Sequence, residues 1–164
     1  MPEKEPDFAA LLQRLHEAGA RFVLIGGLAM MSHGSAHVTV DIDVAYARDS
    51  ENFVALANVI QSIHARLRGL PPDIPFPLDA QTFRNAMNLT LETDFGDLDL
   101  LAIPEGLDSY EGLVSRAVEM EVFGVSVHVA SVDDLIAMKR AANRPKDQAH
   151  LYELLALKEL LEEG

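Results

Sequence analysis

Apolar positions recur along this chain at two spacings. Between Asp7 and Ala18, Phe8, Leu11, Leu12 and Leu15 fall on one helical stripe, with Asp7 placed to cap the run and Gly19 to end it. Phe22-Val23-Leu24-Ile25 is continuously apolar, as a buried strand would be, and it breaks at Gly26-Gly27. A short helical run, Leu28–His33, stops at Gly34. The chain then re-extends over Val38–Val44, where alternate side chains share a face. Val38, Val40, Ile42 and Val44 point to one side of that strand, and Thr39, Asp41 and Asp43 to the other. Ser50 is expected to cap a second amphipathic helix that carries Phe53, Leu56, Ile60 and Ile63 toward Leu67. Gly69–Pro77 is proline-rich, cannot be a regular helix, and is expected as a loop bordering the site.

The second half reads as two hairpins followed by two helices. Met87–Thr93 alternates, Asp94-Phe95-Gly96 turns, and Asp97–Ile103 returns to Pro104. Ala117–Val122 joins Val125–Ala130 through Phe123-Gly124. Ser131 caps a helix from Val132 to about Ala142, with Leu135, Ile136 and Met138 packed inward. Pro145 opens a last helix bearing Leu151, Leu154, Leu155 and Leu157. There is no internal repeat, and no linker is long enough to separate domains. This order predicts an α/β (α+β) fold, a mixed β-sheet with flanking helices, in a single domain over 1–164 whose C-terminal segment, from about 132, is helical.

Asp41 and Asp43 lie side by side on an otherwise apolar strand, where their charges repel. A divalent cation is the obvious reason to keep them, because Mg²⁺ takes oxygen ligands and shares them with substrate phosphates. Gly26-Gly27 lets the backbone approach a ligand and opens a helix whose first N–H groups favour an anion. Two-metal phosphoryl transfer calls for further carboxylates converging on ions about 3.5–4 Å apart. The third acid should stand on a neighbouring strand and on the same face. Asp99, flanked by Leu98 and Leu100, fits better than Asp97, which sits beside the Gly96 turn and is expected to be solvated. The plainer alternative makes both acidic pairs edge-strand charges that block aggregation, and Gly26-Gly27 an ordinary tight turn.

Gly26-Gly27, thirteen intervening residues and Asp41-Ile42-Asp43 resemble the signature of the DNA polymerase beta-like nucleotidyltransferase superfamily. With Thr39 two residues before the first Asp, the pattern is most similar to the abortive-infection, type IV toxin-like small bacterial branch. The resemblance implies a nucleotidyltransferase-like fold. It also implies an enzyme that moves NMP from an NTP such as ATP to a hydroxyl acceptor, with two Mg²⁺ ions and release of pyrophosphate. The acceptor would be an RNA 3′ end such as that of tRNA, a protein or a small molecule, and a partner protein would supply any missing acceptor-recognition unit. On this likeness Asp41, Asp43 and Asp99 hold metal and catalyse, while Gly26, Gly27 and Thr39 meet the nucleotide. Ser131–His150 resembles the family's late motif, a helix Lys followed by Arg and Lys-Asp, which implies that Lys139 contacts the phosphates and Asp147 holds it. Ser32 and His33, later on the short helix, are weaker nucleotide candidates. Two positions depart from the pattern: His37 stands where that branch has Arg, and His150 where a further Asp often follows. A neutral imidazole does not replace a permanent guanidinium charge on a phosphate. These departures motivate the alternative, a non-catalytic nucleotide-binding or toxin–antitoxin partner module on a degenerate nucleotidyltransferase fold.

Composition narrows the partners. The 164 residues, 49% of them hydrophobic, suit one domain with a real core, and the absence of cysteine excludes disulfides and thiolate zinc sites. The six histidines lack the close spacing of zinc ligands. A net charge of −13 disfavours a large nucleic-acid acceptor and suits a cationic small molecule, a basic protein or a nucleotide escorted by Mg²⁺. Lys139, Arg140, Arg144 and Lys146 form the one basic cluster, apt for a triphosphate, although a solvated helix end attracts cations as well. No segment is apolar for long enough to span a membrane and no signal sequence is seen, so the expected location is the cytoplasm.

Overall fold

The computed structural model describes residues 5–85 and 88–163. In chain order the elements are α1 (Phe8–Glu17), β1 (Phe22–Ile25), α2 (Gly26–Ser32), β2 (Asp41–Tyr46), α3 (Ser50–Ser62), β3 (Arg66–Leu67) and α4 (Ala80–Asn85). They continue with β4 (Asn88–Thr93), β5 (Gly96–Leu101), α5 (Tyr110–Arg116), β6 (Val118–Val122), β7 (Val125–Val129), α6 (Val132–Ala142) and α7 (Pro145–Glu163). The strands form one seven-stranded mixed sheet in the order β3-β4-β5-β2-β1-β7-β6. β2 runs antiparallel to β1 and parallel to β5, and β1 runs parallel to β7. Helix α1 packs on β7 and α3, α2 on β1 and β2, and α6 against α2 and α7. This is the mixed sheet with flanking helices that the pattern predicts.

Strand parity decides which face of the central strands is dry. Ile42 and Val44 on β2, and Leu98 and Leu100 on β5, are wholly buried, which leaves the intervening acids on the opposite face. Neither strand is an edge: β2 has β1 and β5 as neighbours, and β5 has β2 and β4. The edge-strand explanation of the acidic pairs therefore fails. Strand β2 starts at Asp41, three residues later than the alternation predicts, and Val38 and Val40 are 80% and 69% exposed. Its neighbours account for this. β1 turns into a helix after Ile25, the partner of Asp43, and the β5 ladder begins with Asp97 opposite Asp41. Residues before Asp41 have no strand to pair with, so alternation there buries nothing.

Side-chain caps set most boundaries. Asp7 Oδ1 accepts from the Ala10 N–H at 3.0 Å, and Ser131 Oγ from the Asp134 N–H at 3.1 Å, as expected. At α3 the cap is Asp49, not Ser50: its Oδ1 accepts from the Asn52 N–H at 2.9 Å. That helix stops at Ser62, short of Leu67, and the chain turns through His64 (φ 53°) into the two-residue strand β3. Strand β3 and the six- and seven-residue helices α4 and α5 go beyond the sequence expectation, being too short to leave a periodic signature. In the first hairpin Gly96 already pairs with Thr93, so Asp94-Phe95 makes the turn, while the expected first residue, Met87, lies outside the described residues. In the second, Phe123 and Gly124 both have positive φ (49° and 79°), the requirement of a two-residue type I′ turn. Among the described residues no helix is long and apolar enough to cross a membrane.

Buried Asn52 ties α3 to the residues just before β1 and just after β2, at the end of the strand pair away from the acids. Its Oδ1 accepts from the Arg21 N–H at 2.7 Å, and its Nδ2 donates to the carbonyls of Arg21 (3.0 Å) and Ala47 (2.8 Å). Asn52→Ala leaves the Arg21 N–H and the Ala47 carbonyl without this partner, while the Arg21 carbonyl keeps the Ala47 N–H at 3.2 Å. The substitution is expected to lower the unfolding free energy by about 2–3 kcal/mol, read from urea denaturation.

Candidate active site

The parallel register of β2 and β5 sets Asp43 opposite Asp99 and Asp41 opposite Asp97. One carboxylate oxygen from each of Asp41, Asp43 and Asp99 lies within 4.8 Å of the other two. Asp97 stays outside this group and faces the Arg68 guanidinium, Nε to Oδ2 at 3.4 Å. Burial pushes the Asp43 carboxyl up to about 7, and the charges of Asp41 and Asp99 and a hydrogen bond with Asp99 push the same way. Lys139 opposes them. Three crowded, partly buried oxygen donors with no nitrogen or sulfur among them fit a hard divalent cation such as Mg²⁺.

The glycine turn is shaped around these acids. Gly26 has φ +68°, and a Cβ built on it would lie 2.1 Å from Asp43 Oδ2. A Cβ on Gly27 would lie 2.9 Å from the Cβ of Thr39 and 3.0 Å from His37 Cδ2. Helix α2 begins at Gly26 itself, earlier than the expected Leu28, because the left-handed glycine makes the strand-to-helix corner. Thr39 has a local duty: its hydroxyl lies 3.0 Å from Asp41 Oδ1 and 3.1 Å from the Asp41 carbonyl, which fixes that carboxylate at the start of β2.

The facing wall comes from α6 and α7. Asn143, left-handed at φ 47°, ends α6 and turns the chain sharply into α7. Asp147, wholly buried in the first turn of α7, accepts from Lys139 Nζ at 3.2 Å. It also accepts from Arg144 through its backbone N–H (3.1 Å), Nε (2.7 Å) and Nη2 (3.3 Å). The bonds from Arg144, and then from Lys139, hold its carboxyl well below the usual carboxylate range. His37 and His150, positions where the resemblance leads one to expect Arg and Asp, meet each other here, with ring centroids 4.4 Å apart and planes at 73°. Burial, Lys139 and His37 all lower the His150 pKa.

These groups line one cavity of about 840 Å³. All eight positions singled out in the sequence (Gly26, Gly27, Thr39, Asp41, Asp43, Asp99, Lys139 and Asp147) border it, as do Arg144, Lys146 and both paired histidines. Other candidates sit elsewhere. Arg140 is exposed, the Ser32 hydroxyl donates to the Leu28 carbonyl at 2.8 Å, and His33 Nε2 lies 2.7 Å from the Ala130 carbonyl. No residue of the Gly69–Pro77 loop lines the cavity, contrary to expectation. Asn88, Leu101 and Glu105 do line it and carry no motif that would have marked them. Arg68, which donates from Nη2 to Asp99 Oδ1 at 2.7 Å, also goes beyond the sequence expectation.

A glycine corner abutting a paired-carboxylate strand, a third Asp on the parallel neighbour and a facing Lys–Asp couple form the arrangement that the nucleotidyltransferase resemblance implies. The chain belongs to the family described as nucleotidyltransferase of unknown function (DUF6036), which it matches over residues 7–160, and it is an enzyme of that class. No protein of curated function matches it in sequence. In fold it is similar to the lincosamide antibiotic adenylyltransferase LnuA in its lincomycin-bound crystal structure (TM-score 0.59, 13% identity, covering 94% of this chain and 99% of that one). It is likewise similar to ANT(2″)-Ia in complex with adenylyl-2″-tobramycin (TM-score 0.58, 15% identity, covering 95% of this chain and 91% of that one).

Two outcomes follow from this geometry. Gly26→Ala forces a Cβ into the Asp43 carboxylate from a left-handed backbone, and is expected to cost about 1–3 kcal/mol in denaturant unfolding. The folded pKa of Asp147 lies below its unfolded value, so its ionisation contributes stability above the usual carboxylate range and loses it as pH falls through and below that range. Asp147→Asn should therefore cost about 3 kcal/mol at neutral pH, with the gap to the parent narrowing below about pH 4, as followed by thermal melts across pH.

Proposed function

We propose that this chain transfers NMP from an NTP to the hydroxyl of a small-molecule acceptor in a Mg²⁺-dependent reaction that releases pyrophosphate. The observation that carries this reading is the convergence of Asp41, Asp43 and Asp99 across one cavity from Lys139. Asp41 and Asp43 would hold the cation that escorts the triphosphate, and Asp99 would share a second one. Bound there, the cations would neutralise developing phosphoryl charge and lower the pKa of the acceptor hydroxyl. Lys139, aimed by Asp147, binds the phosphates, with Arg144 and Lys146 extending the cationic wall. Gly26 and Gly27 bring the start of α2 close to the nucleotide. Asp99 would also take the acceptor's proton.

A small, cationic acceptor suits a protein of net charge −13 whose one basic cluster lies largely along the cavity rather than spread over a nucleic-acid surface. The similarity to antibiotic adenylyltransferases supports the same class of acceptor. A tRNA 3′ end, which the toxin-like likeness would imply, draws no support from the acidic balance of the chain. In this reading 1–164 forms one domain, and its segment from about 132 supplies Lys139 and Asp147.

The test is incubation with α-labelled NTPs, Mg²⁺ and separate panels of aminoglycosides, lincosamides, RNA and protein extract. Label is expected on a small molecule, with pyrophosphate released. Asp41→Asn and Asp43→Asn should each lower the rate by about a thousandfold, the equivalent of about 4 kcal/mol of lost charge stabilisation. Lys139→Met should mainly raise the KM for NTP. Label on RNA or protein would replace the acceptor class, and nucleotide binding without transfer, unchanged when Ca²⁺ replaces Mg²⁺, would leave a binding module.

A further inference from the structure

Arg68 lies just past β3, two strands from the acids, and its side chain crosses β4 to reach them. Its backbone N–H donates to the Thr90 carbonyl at 2.9 Å, which extends the β3–β4 ladder, and its Nη2 donates to the Leu91 carbonyl at 3.1 Å. From that anchor the guanidinium spans both acids of β5, with Nη2 on Asp99 Oδ1 at 2.7 Å and Nε 3.4 Å from Asp97 Oδ2. The Asp99 side chain is only 18% exposed, so its partner is poorly screened by water. The register gives the face four carboxylates in two rows, Asp41 beside Asp97 and Asp43 beside Asp99. Arg68 offsets one of the two charges of the β5 half and leaves the β2 half for a cation.

We infer that Arg68 is a positioning residue that stands in for a cation at Asp99, fixing its carboxylate from the β4 side and weakening the hold on the divalent ion that the three acids share. The inference rests on the metal-holding reading above and deepens it. The two effects of Arg68 on ion affinity have opposite signs. Fixing one Asp rotamer favours binding by a modest entropy. A guanidinium charge a few ångströms from a divalent ion opposes it, and at an effective dielectric of about 20 that repulsion is the larger effect. The ion at Asp99 is therefore held loosely and relies on the charge brought by the nucleotide.

The test is titration of the full chain with Mn²⁺ alone, reading free Mn²⁺ by electron paramagnetic resonance, for the parent, Arg68→Gln, Arg68→Lys and Asp41→Asn. Arg68→Gln is expected to tighten Mn²⁺ binding tenfold or more, and Arg68→Lys, which keeps the charge, to stay within about threefold of the parent. Unchanged or weaker binding in Arg68→Gln, which a merely structural role would give, overturns the inference while leaving the metal site standing. Arg68→Lys behaving like Arg68→Gln removes charge as the cause and overturns it too. If Asp41→Asn binds Mn²⁺ as the parent does, the metal-holding reading itself fails and takes the inference with it.

Discussion

Mutual repulsion among carboxylates set on the two central strands is the constraint around which this molecule is arranged. Acids there are costly twice, once for leaving water and once for lying beside one another, and the raised pKa of Asp43 records both. A fold selected for stability alone would place apolar or amide side chains at those positions. Instead the surrounding residues restrain the acids without neutralising them fully: Thr39 pins Asp41, Arg68 pins Asp99, and the bare face of Gly26 makes room for Asp43.

The facing wall solves a complementary problem. A lysine meant for phosphates, placed near three carboxylates, would otherwise fall onto them. Buried Asp147 draws Lys139 to its own side of the cavity and is in turn held by Arg144, so cation and acids remain apart across open space. His37 and His150 fill the remaining corner by packing on each other, edge to face.

Much of the site is legible in the sequence because it is carried by short, local patterns. Asp41-Ile42-Asp43 and Asp97-Leu98-Asp99 obey strand parity, so their shared faces follow from the residues alone, and a glycine pair before a helix has few other uses beside them. Caps with a side-chain mechanism, Asp7 and Ser131, are equally plain. What stays hidden depends on partners distant in the chain. Val38 and Val40 alternate like a strand, yet no neighbour reaches them. Asp49, not Ser50, caps α3, and the same carboxylate also receives the guanidinium of Arg21, a partner far back in the chain. Arg68 reaches the acids only because a two-residue strand, invisible to any periodicity, docks against β4.

Whether the three acids are crowded in order to hold a divalent cation is decided by paired thermal melts of the parent and Asp43→Asn, each with EDTA and with millimolar Mg²⁺. Asp43→Asn is expected to melt a few degrees above the parent in EDTA, because the uncharged isostere relieves the repulsion, and Mg²⁺ is expected to raise the melting temperature of the parent alone. A parent that melts no lower than Asp43→Asn in EDTA and does not respond to Mg²⁺ would contradict it.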